Sequence, residues 1–181
     1  MAEKVKKLIK PFAVALVIIF AVCCWIEKPE GFGDYSSYVG YAISGVTLLF
    51  CAYDLWLWRW NPLEDTPALA KKYSGVLEYK YNGIESSKQI QIRIRQTLLS
   101  VIVQAKTDIN ASSTITGVIT KEYDKYVLYY TYITDPDAKV AKTNPVQHGT
   151  CRMVLDDVDH IKGKYWTSGQ TIGDITWNQT T

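Results

Sequence analysis

The sequence predicts a membrane-anchored all-β protein: two N-terminal transmembrane helices followed by an eight-stranded antiparallel up-and-down β-barrel. Three observations carry this expectation. Residues 1–60 hold two long apolar runs. From Tyr73 onward the hydrophobic period falls to two, the spacing of a half-buried strand. The strand-like segments follow one another through short, turn-rich connections, with no convincing long helix between them. The expected organisation is a two-helix transmembrane region at 1–60, a linker at 61–72 and a cytoplasmic β-barrel ligand-binding domain at 73–181.

The first apolar run is PFAVALVIIFAVCCWI at 11–26, extended on its N-terminal side by Leu8 and Ile9 past one charge, Lys10. A lysine so near the end of a span can snorkel to the headgroups. The second run, YVGYAISGVTLLFCAYDLWLW at 38–58, contains one charge, Asp54. Each approaches the ~20 residues that cross a ~30 Å hydrocarbon layer. Tyr38 and Tyr41 at one end, and Trp56, Trp58 and Trp60 at the other, suit the membrane interface. A cleaved signal peptide fits less well, because CCWIEKPE offers no small-x-small cleavage site and a second span follows at once. Asp54 has two readings, an interfacial carboxylate near the cytosolic end, or a polar contact between protomers or pore-related group, since unpaired charge at membrane depth is costly.

Lysine and arginine distribution sets the orientation. Lys4, Lys6, Lys7 and Lys10 precede the first span, Lys28 alone occupies the connecting loop, and Arg59, Lys71 and Lys72 follow the second. The positive-inside rule then places the N-terminus and the C-terminal domain in the cytoplasm, in a multi-pass protein of the cell inner membrane. Four cysteines without metal-ligand spacing read as reduced, small hydrophobic residues.

Between the second span and the first strand, NPLEDTPALAKK holds two prolines that limit helix and reads as a linker with a helical turn at its end. The strands then come in order: 73–82, a turn at NGIES, 88–95, 98–107, 113–122, 126–134, 149–157, 160–167 and 171–178. In 88–95, Ile90, Ile92 and Ile94 share one face; Gln91, Arg93 and Arg95 share the other. The stretch 135–148 has two prolines and reads as a loop. About 110 residues suffice for one compact core, and closing eight strands removes exposed edges. A β-sandwich is the rival architecture. An outer-membrane barrel is not, since charged residues are scattered over the strands and apolar helices precede them.

Residues 73–181 carry 12 Lys/Arg against 11 Asp/Glu, a balance that does not favour a DNA or RNA partner. No catalytic constellation is present: no His-x-x-x-His pair, no phosphate-binding Gly-Lys-Ser/Thr and no nucleophile elbow. Asp156, Asp157, Asp159 and His160 read as a charged turn. The chain is therefore not expected to be an enzyme, nor to need a metal. Tyrosine and tryptophan crowd the later strands instead. They are either packing residues or the walls of a cavity that stacks on bases and donates hydroxyls. Tyr130 and Tyr132 share a face, and so do Tyr165 and Thr167. Arg93, His148, Arg152 and Thr167 could supply charge and hydrogen bonds to phosphates. Periodicity leaves open which face is inward.

The order of segments carries a resemblance. Two spans, a WNP exit, the YSG start of the first strand, QIRIRQT, ASSTITG, LYYTY, HGTCRMVL and GKYWTSGQTIGDI follow one another over residues 11–178. Most specific are His148–Leu155, the Gly-x-Tyr-x-Thr of Gly163–Thr167, and Thr171–Gly173. The chain resembles the two-transmembrane, β-strand-rich effectors of bacterial CBASS antiphage systems. That resemblance implies a cyclic dinucleotide as activating ligand rather than a cofactor, made by a partner CD-NTase-type nucleotidyltransferase. It also implies self-association on binding and damage to the lipid bilayer of the infected cell. The ligand contacts it implies, joined to the residue reading, are Arg93, Tyr130, Tyr132, His148, Arg152, Tyr165 and Thr167. The chain departs from the family at Ser168-Gly169-Gln170, where members often carry an arginine. The competing expectations are a constitutive anchored barrel that carries an apolar ligand, and a scaffold with a filled core.

Overall fold

The computed structural model describes residues 2–81 and 84–180. The chain divides into two compact units, Met1–Glu64 and Asp65–Thr181.

In the first unit, α1 (Ala2–Glu27) and α2 (Phe32–Leu55) form a hairpin around the Gly-containing turn. Both are long and apolar enough to cross a membrane. Asp34 starts α2: its carboxylate accepts from the backbone N–H groups of Glu30 (2.9 Å) and Gly31 (3.2 Å), satisfying donors that a helix start leaves free. Phe12 of α1 meets Phe50 of α2 edge-on at 5.2 Å. The helix starts earlier and ends earlier than the apolar run 38–58, so Trp58 and Trp60 lie in a 3-10 turn, Leu57–Trp60. The four cysteines are all free.

The second unit is a closed antiparallel barrel in which each strand pairs with its sequence neighbours and the last returns to the first. Its strands are β1 (Lys72–Tyr81), β2 (Ile84–Gln96), β3 (Val101–Lys106), β4 (Asn110–Glu122), β5 (Lys125–Pro136), β6 (His148–Val154), β7 (His160–Thr167) and β8 (Ile172–Gln179). The eight-stranded expectation holds, and the sandwich does not. The expected turn at Asn82-Gly83 lies outside the described residues.

Several boundaries move for local reasons. β3 begins three residues late because Thr97–Ser100 forms a turn, Thr97 N–H donating to the Ser100 carbonyl at 2.9 Å. β6 stops at Val154 because the acidic stretch after it turns, with Asp159 N–H donating to Asp157 Oδ1 at 2.9 Å. No helical turn ends the linker: a turn at its start, Glu64 N–H donating to the Asn61 carbonyl at 3.0 Å, is followed by irregular chain whose residues 67–69 lie against the end of β2. Gln96 holds it there, donating from Nε2 to the Pro67 carbonyl at 2.8 Å and accepting from Leu69 N–H at 2.8 Å.

Alternation assigns the two faces. Ile90, Ile92 and Ile94 of β2, Val101 and Val103 of β3, Leu128 of β5, Met153 of β6, Ile161 of β7 and Trp177 of β8 are buried in one core. Trp177 is fully buried and packs at a tilt against the rings of Tyr73 (centroids 5.9 Å apart) and Tyr130 (6.1 Å). These residues fill the end of the barrel at which β1 begins. In β4 the register slips between Thr114 and Thr116, so Ile115 is extra and 60% exposed. This bulge moves the inward parity from Ser112 and Thr114 to Gly117 and Ile119.

Candidate functional site

The other end of the barrel is not filled. A cavity of about 500 Å³ opens there, beneath the β3–β4 turn, the β5–β6 loop and the β7–β8 turn. Two rows of paired residues build its inner wall. One runs Gly117–Tyr130–Cys151–Tyr165–Gly173–Tyr79 around β4, β5, β6, β7, β8 and β1. The next row toward the mouth runs Thr114–Tyr132–Gly149–Thr167. Small and large side chains alternate in the first, and in the second Tyr132 stands between Thr114 and Gly149, as a narrow barrel requires. Gly149 faces Tyr132 so closely that a side chain at 149 would overlap its ring.

The wall is aromatic with polar tips. Tyr79, Tyr130, Tyr132 and Tyr165 line it, with Thr134, Thr167 and Thr171 toward the mouth and Asn144 and Gln147 from the β5–β6 loop. Lys88 is the cation among the lining residues, its Nζ 5.6 Å from the centre of the Tyr79 ring. The loop is tied down: Thr134 N–H donates to the Gln147 carbonyl and Gln147 N–H to Thr134 Oγ1, both at 2.8 Å. Ser168 joins the rim to β6, its N–H donating to the His148 carbonyl at 2.8 Å. Its Oγ accepts from His148 N–H at 3.2 Å. The SGQ turn is closed by Gln170 at φ 61, a left-handed conformation unusual for glutamine.

Burial sets the electrostatics. It pushes the Tyr130, Tyr132 and Tyr165 hydroxyls above the usual tyrosine range, so they remain protonated donors. Burial also pushes the Cys151 thiol up to about 12, outweighing a hydrogen bond from Tyr130 that acts the other way.

The seven expected contacts separate into two groups. Tyr130, Tyr132, Tyr165 and Thr167 line the cavity. Arg93, His148 and Arg152 do not, because each lies one residue from an inward neighbour and therefore faces out. Arg93 is exposed between the buried Ile92 and Ile94. His148 is exposed beside the buried Gly149. Arg152, between Cys151 and Met153, is engaged on the outer wall. Its Nε donates to Tyr129 Oη at 2.9 Å and its Nη2 to Glu122 Oε2 at 2.8 Å. Lys88 was missed by sequence reasoning, although its spacing of two from Ile90 carries the inward parity. The loop residues Asn144 and Gln147 have no periodic signal.

Asp156 pairs with Lys125, and His160 Nδ1 lies 2.8 Å from Asn178 Oδ1, so the acidic stretch is a charged turn with local partners. Among the described residues no three His, Cys, Asp or Glu side chains gather as a metal site.

Comparison with known proteins now bears on this cavity. The family model described as Cap15, cyclic dinucleotide receptor domain, matches residues 64–179. The chain belongs to the Cap15 family. A curated relative, CD-NTase-associated protein 15 of Staphylococcus schleiferi, is 30% identical over 178 residues, spanning 97% of this chain and 97% of that protein. The Cap15 match covers the whole barrel, and the relative covers the two helices as well. The family is defined by receiving a ligand, not by catalysis, in keeping with a cyclic-dinucleotide-sensing role in CBASS.

Proposed function

We propose that the open end of the barrel binds a cyclic dinucleotide made by a CD-NTase-type partner, and that binding promotes self-association and disruption of the inner membrane by the two helices. The observation that carries this reading is the cavity itself: about 500 Å³, walled by tyrosines and rimmed by Thr134, Thr167, Asn144, Gln147 and Lys88, in a Cap15 domain. A cyclic dinucleotide presents two bases and two phosphodiesters. Tyrosine rings stack on bases without demanding one sequence. Neutral hydroxyls and amides donate to ring and phosphate oxygens, and Lys88 at the mouth adds charge. Of the seven expected contacts, Tyr130, Tyr132, Tyr165 and Thr167 remain in this site. Arg93, His148 and Arg152 contribute nothing direct to it.

Self-association follows if the assembled state holds ligand more tightly than the monomer, since a ligand shifts an equilibrium only by its differential affinity. Helices already confined to a bilayer then meet at high effective concentration. With the barrel and N-terminus in the cytoplasm, the damaged membrane is the cell's own inner membrane. Polar groups around the mouth disfavour an apolar-ligand carrier, and an open cavity disfavours a filled scaffold.

The experiment is dye release from vesicles holding the full chain, with and without each of a panel of cyclic dinucleotides. Release that rises only with ligand is the expected result. Equal release in both arms would reject ligand gating.

A further inference from the structure

The outward arginines of QIRIR have no role in the cavity, and their surroundings suggest another. Lys72 of β1 stands directly opposite Arg93 of β2. Arg95 stands opposite Ile102 of β3, and Arg93 opposite Gln104. Neighbours across a ladder lie about 5 Å apart on one face, so these side chains form a single patch. Lys71 adjoins it, pinned by its carbonyl accepting from Ile94 N–H at 2.9 Å. Lys71, Lys72, Arg93 and Arg95 are all exposed. Among the described residues none of the four has an ion-pair partner.

Its outward ladder neighbours on β1, β2 and β3 include no acid, the nearest across β8 being Asp159. The outward residues around it are Ser74 and Val76 on β1, Gln89 and Gln91 on β2, and Ile102 and Gln104 on β3. Ile102 is 45% exposed beside Arg95, an apolar group within a cationic field. The opposite end of the same wall is mixed in sign, with Glu78 and Glu85 beside Lys80 and Lys106 among its outward residues. On the β1–β3 wall positive charge is thus concentrated near the start of β1, away from the cavity mouth; the acids of that end, Asp124, Asp156, Asp157 and Asp159, lie on the β4–β7 side.

We infer that this basic face docks on anionic lipid headgroups. The inference rests on the proposed membrane insertion of α1 and α2. Eleven residues separate Trp60 from Lys72, and an extended chain spans at most ~3.5 Å per residue, so Lys72 is tethered within about 40 Å of the helix end. Local lipid is therefore always within reach, whereas a soluble polyanion has to be recruited. Each Lys or Arg brought near an anionic leaflet favours the bound state by roughly fivefold. Docking of this kind orients the barrel and holds the cavity mouth away from the lipid, accessible to a soluble ligand.

The test reconstitutes the full chain in vesicles of neutral phosphatidylcholine, or with roughly one-third anionic phosphatidylglycerol. Flotation checks incorporation. An amine-acylating reagent then labels lysines, and mass spectrometry compares Lys71 and Lys72 with Lys139 and Lys142 of the β5–β6 loop. In anionic vesicles Lys71 and Lys72 are expected to label at least about threefold more slowly, with Lys139 and Lys142 unchanged. Molar salt, which shortens screening to ~3 Å, abolishes the difference. In the Arg93→Gln/Arg95→Gln variant the docked-to-free ratio falls about 25-fold and protection disappears. Incorporation with equal labelling in both lipids overturns the inference alone. Failure to float with either vesicle overturns the membrane reading and this inference with it. Equal protection by inorganic phosphate, or by a DNA duplex added to neutral vesicles, assigns the patch to a soluble anion or a nucleic acid and overturns the lipid.

Discussion

Tyr165 stands directly opposite Gly173 across the β7–β8 ladder, and its ring fills the space that a side chain at 173 would need. A Cβ there would overlap the Glu78 carbonyl oxygen of β1 and lie 2.8 Å from Tyr165 Cε1. The glycine in Thr-x-Gly is thus a seat for the tyrosine in Gly-x-Tyr-x-Thr, and the two short segments act as one wall of the cavity. Gly173→Ala is expected to push the ring into the cavity or force the strands apart, overpacking that costs about 1–3 kcal/mol. The measurements are thermal denaturation and cyclic dinucleotide titration, both of which should worsen. An unchanged melting temperature would show that both the Tyr165 ring and the β1 backbone at Glu78 give way without cost.

Trp177 separates the filled end of the barrel from the cavity. It is fully buried, yet its Nε1–H has no hydrogen-bond partner. Trp177→Ala is expected to cost about 3–5 kcal/mol through the void it leaves. Trp177→Phe should cost clearly less, because it keeps an aromatic ring and removes a donor whose burial unpaired carries a penalty of about 1–3 kcal/mol. Chemical denaturation of both variants checks the order.

Cys151 lines the cavity between Tyr130 and Tyr165, with its thiol pushed up to about 12. At pH 8 it should carry on the order of a thousandfold less thiolate than an ordinary cysteine. Alkylation of Cys151, followed by mass spectrometry, should therefore be negligible in the folded chain and appear on unfolding. Rapid labelling at pH 8 would mean that the wall is open to solvent.

Arg152 and Glu122 form an outer brace with Tyr129. The hydrogen bond from Arg152, then that from Tyr129, holds the Glu122 carboxyl below the usual carboxylate range. A depressed carboxyl stabilises the fold above its unfolded pKa, and the contribution is lost as pH falls through the folded pKa. The stability difference between wild type and Glu122→Gln should be present at neutral pH and vanish under acid. Because the brace is exposed, the difference is small. Arg152→Ala should leave ligand affinity unchanged, which would not hold if Arg152 bound phosphate.

The fold was legible because two continuous apolar runs and a period-two region lie in separate parts of the chain, 1–60 and 73–181. Periodicity left the inward face open, and the structure shows which signal decides it. In QIRIR the isoleucines are the inward set, so Arg93 had to face out; CRM places Arg152 by the same logic. The tyrosines gave no such signal, since Tyr129 and Tyr130 are equally apolar and only closure of the barrel decides between them. Ile115 hides a parity change that no alternation reveals, and Asn144 and Gln147 reach the site through a loop whose path depends on Thr134 and Ser168.

The most direct test of the account is calorimetric titration of the full chain in detergent with a panel of cyclic dinucleotides, comparing wild type, Thr167→Trp and Arg93→Gln. Thr167 lines the cavity and Arg93 lies outside it. At least one cyclic dinucleotide is expected to bind wild type and Arg93→Gln equally. Filling the cavity with Thr167→Trp should weaken that binding at least ~100-fold, about 2.8 kcal/mol. Undiminished binding by Thr167→Trp, or binding lost in Arg93→Gln, would contradict a ligand site inside the barrel.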